Sequence, residues 1–174
     1  MKKLKVDIDE IAFIMETSDE LGSVTLFDTE TGEIVSIPNE LMSAVESDDE
    51  EALQALPDWE RDLIKPAESI VNDESGRFVD ISRKPSYEAY DLMVEFASSV
   101  TNKHLREKLE IALDGKGAFS RFKKVISDYP DEEKRWFAFK DKRMREEVIE
   151  WLNDLGIETI EDSSKEKEQG IYEI

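Results

Sequence analysis

The sequence has no cysteine, and this absence excludes disulfide bonds, thiolate nucleophiles, cysteine-ligated zinc and iron–sulfur clusters. Histidine is almost as scarce: His104 is the only one, so a metal site built on a pair of histidines is excluded as well. A serine-based triad would need a strained G-x-S-x-G turn, and the sequence contains none. We expect His104 to lie on the surface near a helix start, and no residue pattern indicates a cofactor.

Long apolar runs are also absent. The start, Met1–Lys5, resembles the charged beginning of a signal peptide, but acidic residues follow it and the apolar run Ile11–Met15 is too short for the hydrophobic region of such a peptide. No stretch approaches the length of a membrane span. We therefore predict a cytoplasmic protein, bacterial in style, that has no membrane partner.

Charge is abundant and strongly one-sided, with 43 acidic and 23 basic residues and a formal net charge of -20. Residues 1–100 carry a net charge of -17 and residues 146–174 carry -8, whereas residues 101–145, with 13 Lys/Arg and 8 Asp/Glu, carry +5. Two interpretations follow. The basic and acidic regions face each other within the fold, or the basic segment is presented to an anionic partner.

Local patterns predict a small antiparallel sheet in the first half of the chain. Val24–Asp28 and Glu33–Ile37 are β-rich runs on either side of a T-E-T-G turn, in which Gly32 supplies the positive φ that a hairpin requires. The alternating segment Arg77–Ser82 predicts a third strand, which would stabilise an otherwise marginal hairpin. Before the hairpin, Asp7 is a good N-cap for a helix from about Ile8 to Ser18.

The remaining chain is predicted to be helical, and the fold class is α+β. Helices are expected after Pro38, near the acidic cluster Asp48–Glu51, and after Pro57, with Pro66 interrupting the last of these. Further helix starts are predicted at N-capping residues, at prolines and after a pair of glycines. They are Pro85-Ser86, Asn102, Gly115–Gly117 and Pro130. Trp59, Trp136 and Trp151 lie at helical positions and are predicted to be core residues.

The domain prediction is one unit over residues 1–157, followed by an acidic tail over residues 158–174 that we expect to be mobile. A break in the last long helix near Lys140-Asp141 is an alternative to a continuous helix. Gly156 is a good residue to follow that helix, and Ile157–Ile160 is an alternative short strand.

The basic helix is centred on the stretch Gly115–Lys124, within the longest run without an acidic residue. A helical wheel places Phe119, Phe122, Ile126 and Tyr129 on an apolar side, opposite three cationic side chains. Free N–H groups at the helix start suit a phosphate or carboxylate, although the P-loop pattern is absent. We predict an anion- or partner-binding site; the alternative is helix packing at its second glycine with a solvated cationic face. The site residues are Lys116, Gly117, Arg121, Lys123 and Lys124.

These residues also carry a resemblance to a known family. The block G-K-G-A-F-S-R-F-K-K-V (residues 115–125), followed by Tyr129-Pro130, Trp136, Glu150-Trp151-Leu152 and Gly156-Ile157, resembles the bacterial uncharacterised protein family 0158. The L-F-D-T-E-T-G-E-I hairpin (residues 26–34) also resembles the opening strand pair of that family, so the resemblance extends from about Val24 to Ile157. It implies no established activity.

The pair Asp28 and Glu30 invites enzymatic interpretations. A strand that ends in D-x-E-T is typical of metal-dependent exonucleases, in which two carboxylates hold divalent cations. The intervening motifs of that class are missing, and the D-x-D pattern of haloacid-dehalogenase-like phosphatases and the glycine and glutamate of an EF-hand loop are missing too. A hairpin turn without catalytic function is the preferred interpretation, and the exonuclease-like hydrolase is kept as the last alternative.

Function is therefore predicted as non-catalytic. The leading hypothesis is an interaction protein that docks an acidic protein or a phosphate-bearing ligand on the cationic face, with an extension over Lys134–Arg145. The second hypothesis is single-stranded nucleic-acid or nucleotide binding through the same face, because basic residues there alternate with aromatic ones. The overall negative charge opposes this second hypothesis, and no nucleic-acid motif supports it.

Overall fold

The computed structural model describes residues 1–17, 22–81, 83 and 86–160. It has the α+β composition that the sequence predicts. The chain forms two compact units: residues 1–83 together with residues from 148 onward, and residues 84–147. We call these the first and the second unit. The prediction of a single domain over residues 1–157 stays a prediction.

The three-stranded sheet of the first unit confirms the predicted hairpin and third strand. β2 (Ser23–Asp28) is central, pairing antiparallel with β3 (Ile34–Pro38) on one side and with β4 (Phe78–Asp80) on the other. The register places Leu26 opposite both Val35 and Asp80. Ser82, the last residue of the predicted third strand, lies outside the described residues.

A second sheet joins the two ends of the described chain and was only half predicted. β5 (Ile157–Ile160) is the short strand considered as an alternative to a tail from residue 158, and β1 (Lys2–Lys5) pairs with it in parallel. Three lysines surround one apolar residue in β1, so its sequence gives no strand signal. Residues 158–160 are therefore strand rather than tail, and residues 161–174 lie outside the described residues.

Gly32 links the hairpin to the rest of the first unit. Its φ is +80° and its N–H donates to the Asp28 carbonyl at 2.8 Å, as a tight turn requires. A Cβ at this position would lie 2.5 Å from the backbone oxygen of Lys5. Gly32 is therefore needed both for its backbone conformation and for the close approach of the end of β1.

Among its described residues before residue 84, the first unit has five helices. They are α1 (Ile8–Glu16), α2 (Asn39–Glu46), α3 (Glu50–Gln54), α4 (Asp58–Arg61) and α5 (Ile64–Val71). Asp7 caps α1 by accepting from the Glu10 N–H at 3.1 Å, as predicted. Four fully or nearly buried residues form a core cluster. They are Ile37, Leu41, Met42 and Ala67.

Two predictions for this region were wrong. Pro66 does not interrupt a helix but is the third residue of α5, where the first-turn N–H that proline lacks has no intrahelical partner. Trp59 is not a core residue, because it is 63% exposed on the four-residue helix α4. Trp151 is half-buried, and its ring meets Phe27 edge-on at 5.5 Å.

All the regular secondary structure among the described residues of the second unit is helical. Its elements are α6 (Ser86–Ser99), α7 (Lys103–Ala112), α8 (Ala118–Ser127) and the greater part of α9 (Pro130–Asp154). The Asn102 side chain caps α7 by accepting from the Leu105 N–H at 3.2 Å, as predicted. The break considered near Lys140-Asp141 does not occur, since α9 is continuous over 25 residues and contains no glycine and no internal proline.

Aromatic rings form the centre of this second core. Phe96 of α6 meets Phe122 of α8 at 6.4 Å and Trp136 of α9 at 5.3 Å, both edge-on. Phe122 and Trp136 also meet each other, at 5.0 Å. This triangle fixes α6, α8 and α9 against one another and confirms Trp136 as a core residue.

Among the described residues, no helix has both the length and the apolar character needed to cross a bilayer.

Replacing Gly32 by alanine is expected to destabilise the first unit more than the same change at Gly76. Both glycines have a φ near +80°, but a Cβ at Gly76 meets nothing within 4 Å. Gly76→Ala should cost about 1 kcal/mol from the left-handed backbone alone, and Gly32→Ala about 2–4 kcal/mol because the Lys5 backbone must also shift. Urea denaturation measures both values. Equal destabilisation by the two variants would show that the approach of Lys5 is unimportant.

Candidate functional site

Three lysines of the predicted site are exposed on α8 and on the turn that precedes it. The side chains of Lys116, Lys123 and Lys124 are all exposed, and we call this set the lysine face. Among the described residues, none of the three ammonium groups has an ion-pair or hydrogen-bond partner. The lysine face is thus a set of three positive charges without partners in the described part of an acidic protein.

The backbone of the turn before α8 depends on two glycines. Gly115 and Gly117 both have left-handed backbone conformations, with φ of +82° and +79°. Gly117 is the N-cap of α8 without a side-chain cap, and a Cβ there would lie 2.9 Å from Nη1 of Arg121. The predicted site residue Gly117 therefore has a structural role: it lets the Arg121 side chain fold back over the turn.

Arg121 uses its guanidinium within the chain. Its Nε donates to the carbonyl of Ala112 at 3.0 Å, its Nη2 donates to that of Asp114 at 2.6 Å, and its Nη1 donates to that of Lys116. We call this set of contacts the Arg121 bracket. It satisfies carbonyls left without partners at the end of α7 and in the turn. Arg121 belongs with the predicted site in position, but its hydrogen-bonding capacity is mostly used by the backbone.

The wheel analysis of α8 was right about two of its aromatic and aliphatic positions and wrong about one. Phe122 and Ile126 are buried, as predicted. Phe119 is 37% exposed instead of fully inward, and on a helix it neighbours Lys123, four residues further on. An aromatic side chain therefore borders the lysine face.

The expected extension over Lys134–Arg145 is smaller than the sequence implied. Arg135 donates to Glu132 at 2.9 Å and its guanidinium lies 4.4 Å from the centroid of the Phe96 ring, while Arg143 pairs with Glu95. Lys140 and Arg145 also have partners. Two lysines of α9 remain exposed, and these are Lys134 and Lys142.

The carboxylate of Asp28 is a buried charge in the described part of the first unit, with the residue 4% exposed. Arg77 binds it with two parallel hydrogen bonds, Nε to Oδ1 at 2.9 Å and Nη2 to Oδ2 at 2.8 Å. The N–H of Glu30 also donates to Oδ1, at 2.9 Å. Hydrogen bonding by Arg77 lowers the pKa of Asp28 to about 2, although burial opposes this shift.

This pairing gives the D-x-E-T motif a structural explanation. The guanidinium of Arg77 binds both oxygens of Asp28 and also lies 3.3 Å from the Glu30 carboxylate. It thus stands between the two carboxylates, where the hydrolase interpretation would place a metal ion. The Arg77 carbonyl accepts from both the N–H and the hydroxyl of Thr29, at 2.9 and 2.7 Å. Within the described ranges, no group of three or more acidic or histidine side chains is arranged to hold a metal ion. The pair closes the hairpin onto the segment leading into β4.

Sequence reasoning missed a depression beside α7. It has a volume of about 510 Å³ and lies between α6 and the end of α7. Its lining consists of Tyr90, Glu107, Glu110, Ile111, Leu113 and Asp114. The available signal was Ile111, which falls outside the buried stripe of α7 and is 74% exposed.

Comparisons with known proteins place these features in a family. The model of the Uncharacterised protein family (UPF0158) matches residues 54–173, which include the lysine face, the Arg121 bracket and Arg77. A UPF0158 protein of Pseudomonas aeruginosa is 26% identical over 158 residues, covering 91% of this chain and 88% of that relative. No solved structure matches the chain. The resemblance seen in the sequence is confirmed.

Removing the Arg121 guanidinium is expected to destabilise the second unit. Arg121→Ala loses its hydrogen bonds to the turn and should lower the free energy of unfolding by about 1–2 kcal/mol. Arg121→Lys should recover less than half of this, because an ammonium cannot reproduce the planar fork. Lys124→Ala is the matched control on the same helix and should cost less than about 0.5 kcal/mol. Equal effects of Arg121→Ala and Lys124→Ala in urea denaturation would contradict the bracket.

The Asp28 pair predicts a specific loss of stability in acid. Because the pKa of Asp28 falls from 3.8 to about 2 on folding, its contribution is complete above about pH 5 and is lost as the pH falls through 2. The stability difference between the wild type and Asp28→Asn should therefore shrink by about 2 kcal/mol between about pH 5 and pH 2. Urea midpoints across this range measure the difference. Glu30→Gln should retain the wild-type pH profile, and a pH-independent difference for Asp28→Asn would contradict the pairing.

Proposed function

The chain belongs to the Uncharacterised protein family (UPF0158), and we propose that it is a non-catalytic cytoplasmic interaction protein that docks an anionic partner on the lysine face. One observation carries this proposal. Lys116, Lys123 and Lys124 are exposed and without partners among the described residues, although the chain has 43 acidic side chains available. Charges without partners in the described part of the chain can attract an anionic partner.

The distribution of charge between the units supports this choice. The second unit holds 14 Lys/Arg and 13 Asp/Glu, a net charge of +1, whereas the first unit holds 9 Lys/Arg and 30 Asp/Glu, a net charge of -21. An anionic partner is repelled by the first unit and meets little net repulsion at the second. The charge pattern therefore directs such a partner toward the helices that carry the lysine face.

The local structure adds to the attraction. Lys116 of the lysine face lies in the turn before α8, next to N–H groups without intrahelical partners that give this end of the helix a partial positive charge. The Arg121 bracket holds the turn that contains Lys116, so little backbone conformational freedom is lost on binding. Ammonium groups act mainly as point charges, so we expect binding that tolerates variation in the partner and weakens with salt.

The non-catalytic part of the proposal is supported by the state of Asp28. Both of its carboxylate oxygens are bound by Arg77, so the hydrolase alternative has no free acid at the position where it needs one. No observation on the described residues favours the hydrolase alternative.

Single-stranded nucleic-acid binding is the second candidate, and the exposure of Phe119 favours it. An aromatic ring next to lysines is the combination that holds stacked bases above a phosphate backbone. The two candidates differ in what they require of Phe119: base stacking needs the ring, whereas docking of a carboxylate-rich protein surface depends on the ammonium groups.

The test compares two probes, a fluorescently labelled glutamate-rich peptide and a mixed-sequence single-stranded oligonucleotide, by fluorescence anisotropy at low salt. The lysine-face variant replaces three residues by glutamine, and the control variant replaces three other exposed lysines in the same way. The lysine-face variant is Lys116→Gln, Lys123→Gln and Lys124→Gln. The control variant is Lys2→Gln, Lys65→Gln and Lys103→Gln.

We expect the peptide to bind and the lysine-face variant to weaken it by about tenfold or more, because three charge contacts are lost. The control variant has the same net charge and should bind within about twofold of the wild type. Equal loss in both variants would reject the lysine face as the site. Phe119→Ala decides between the candidates: a loss of about fivefold or more for the oligonucleotide, with peptide binding unchanged, would establish the nucleic-acid candidate instead.

A further inference from the structure

The depression between α6 and α7 has the features of an acceptor for cationic side chains. Three of its six lining residues, Glu107, Glu110 and Asp114, are exposed acids. Among them lies Ile111, which is 74% exposed although its neighbours Leu109 and Ala112 are buried. An aliphatic side chain ringed by carboxylates suits a contact that is apolar at the centre and charged at the rim.

The depression is held in shape on two sides. The hydroxyl of Tyr90 donates to the carbonyl of Leu113 at 2.7 Å, which ties α6 to the end of α7. The Arg121 bracket binds the carbonyls of Ala112 and Asp114 from the side of α8. The surface is therefore preorganised, and a partner does not have to order it.

The lysine face complements this depression in both charge and apolar character. The depression offers three carboxylates around Ile111, and the lysine face offers three ammonium groups beside the partly exposed ring of Phe119. We propose that the lysine face of one molecule docks into the α6–α7 depression of a second copy of this chain. The inference rests on the proposed function, whose anionic partner it identifies.

Between two copies of the chain, charge opposes contact between the two first units and does not oppose contact between the two second units. Two first units, each with a net charge of -21, repel each other, whereas two second units, each with +1, do not. The lysine face and the depression belong to the same unit. One molecule can therefore bind a second copy through its lysine face and a third copy through its depression. The patch is small, so the association is weak, with a dissociation constant on the order of 10–100 μM.

Sedimentation velocity of the wild type tests the association directly. The weight-average sedimentation coefficient should rise with protein concentration between about 5 and 500 μM, and salt at about 0.5 M should weaken the association at least tenfold. A wild type that stays monomeric over this range would overturn the inference. It would leave the proposed function intact if the glutamate-rich peptide still bound to the lysine face.

Two charge-reversed variants make the test specific. The first reverses the lysine face, and the second reverses the rim of the depression. The first is Lys116→Glu, Lys123→Glu and Lys124→Glu. The second is Glu107→Lys, Glu110→Lys and Asp114→Lys. Each variant alone carries like charges on both surfaces and should be monomeric, whereas an equimolar mixture should associate again, because the acidic depression of the first variant meets the lysine face of the second.

Controls separate this outcome from changes in net charge. The control for the first variant is Lys2→Glu, Lys65→Glu and Lys103→Glu. The control for the second is Glu46→Lys, Glu68→Lys and Glu74→Lys. Both controls should associate like the wild type. If a control is monomeric as well, or if the mixture of the two charge-reversed variants stays monomeric, the inference is wrong.

A single exposed substitution provides an independent readout that does not depend on reversed charges. Ile111→Ser removes the apolar centre of the depression from a side chain that is 74% exposed, so folding should be unaffected. Self-association should weaken about fivefold or more, while binding of the glutamate-rich peptide to the lysine face stays unchanged. Unchanged self-association of Ile111→Ser would contradict docking in the depression.

Discussion

The contacts of Arg121 with backbone carbonyls are the interaction on which the surface of the second unit depends. The end of α7 and the two-glycine turn leave carbonyls without helical partners, and one guanidinium binds several of them. This fixes the start of α8, and with it the positions of Lys116 on one side and of the depression that includes Asp114 on the other. Arg121, which was predicted as a binding residue because of its charge, thus has a structural role and positions the charged side chains around it.

Much of the fold follows from short-range signals in the sequence. Asp7 and Asn102 cap their helices and Gly32 forms the predicted turn, since each depends only on residues a few positions away. β1 was not predictable in this way, because its pairing partner β5 lies at the far end of the described chain and its own composition is that of a charged segment. Trp59 was misassigned because periodicity cannot distinguish a core position from an exposed one on a four-residue helix.

The candidate site shows a similar division. Helical periodicity predicted the buried side of α8 at Phe122 and Ile126 and the position of the lysines outside it. It did not predict the role of Arg121, which depends on the path of a turn with two left-handed glycines rather than on the wheel. The pairing of Asp28 with Arg77 was also beyond local reasoning, because the two residues are 49 positions apart. In both cases a charged side chain with an apparent functional role is used by the fold.

The central claim is that an anionic partner is received by the lysine face and not by the chain as a whole. The most direct measurement is a titration of the isotope-labelled protein with the glutamate-rich peptide, followed by backbone amide NMR shifts. The account predicts saturable shifts concentrated between Gly115 and Ser127, which vanish at high salt. Shifts elsewhere with none in this segment, or no saturable shift at low salt, would contradict it.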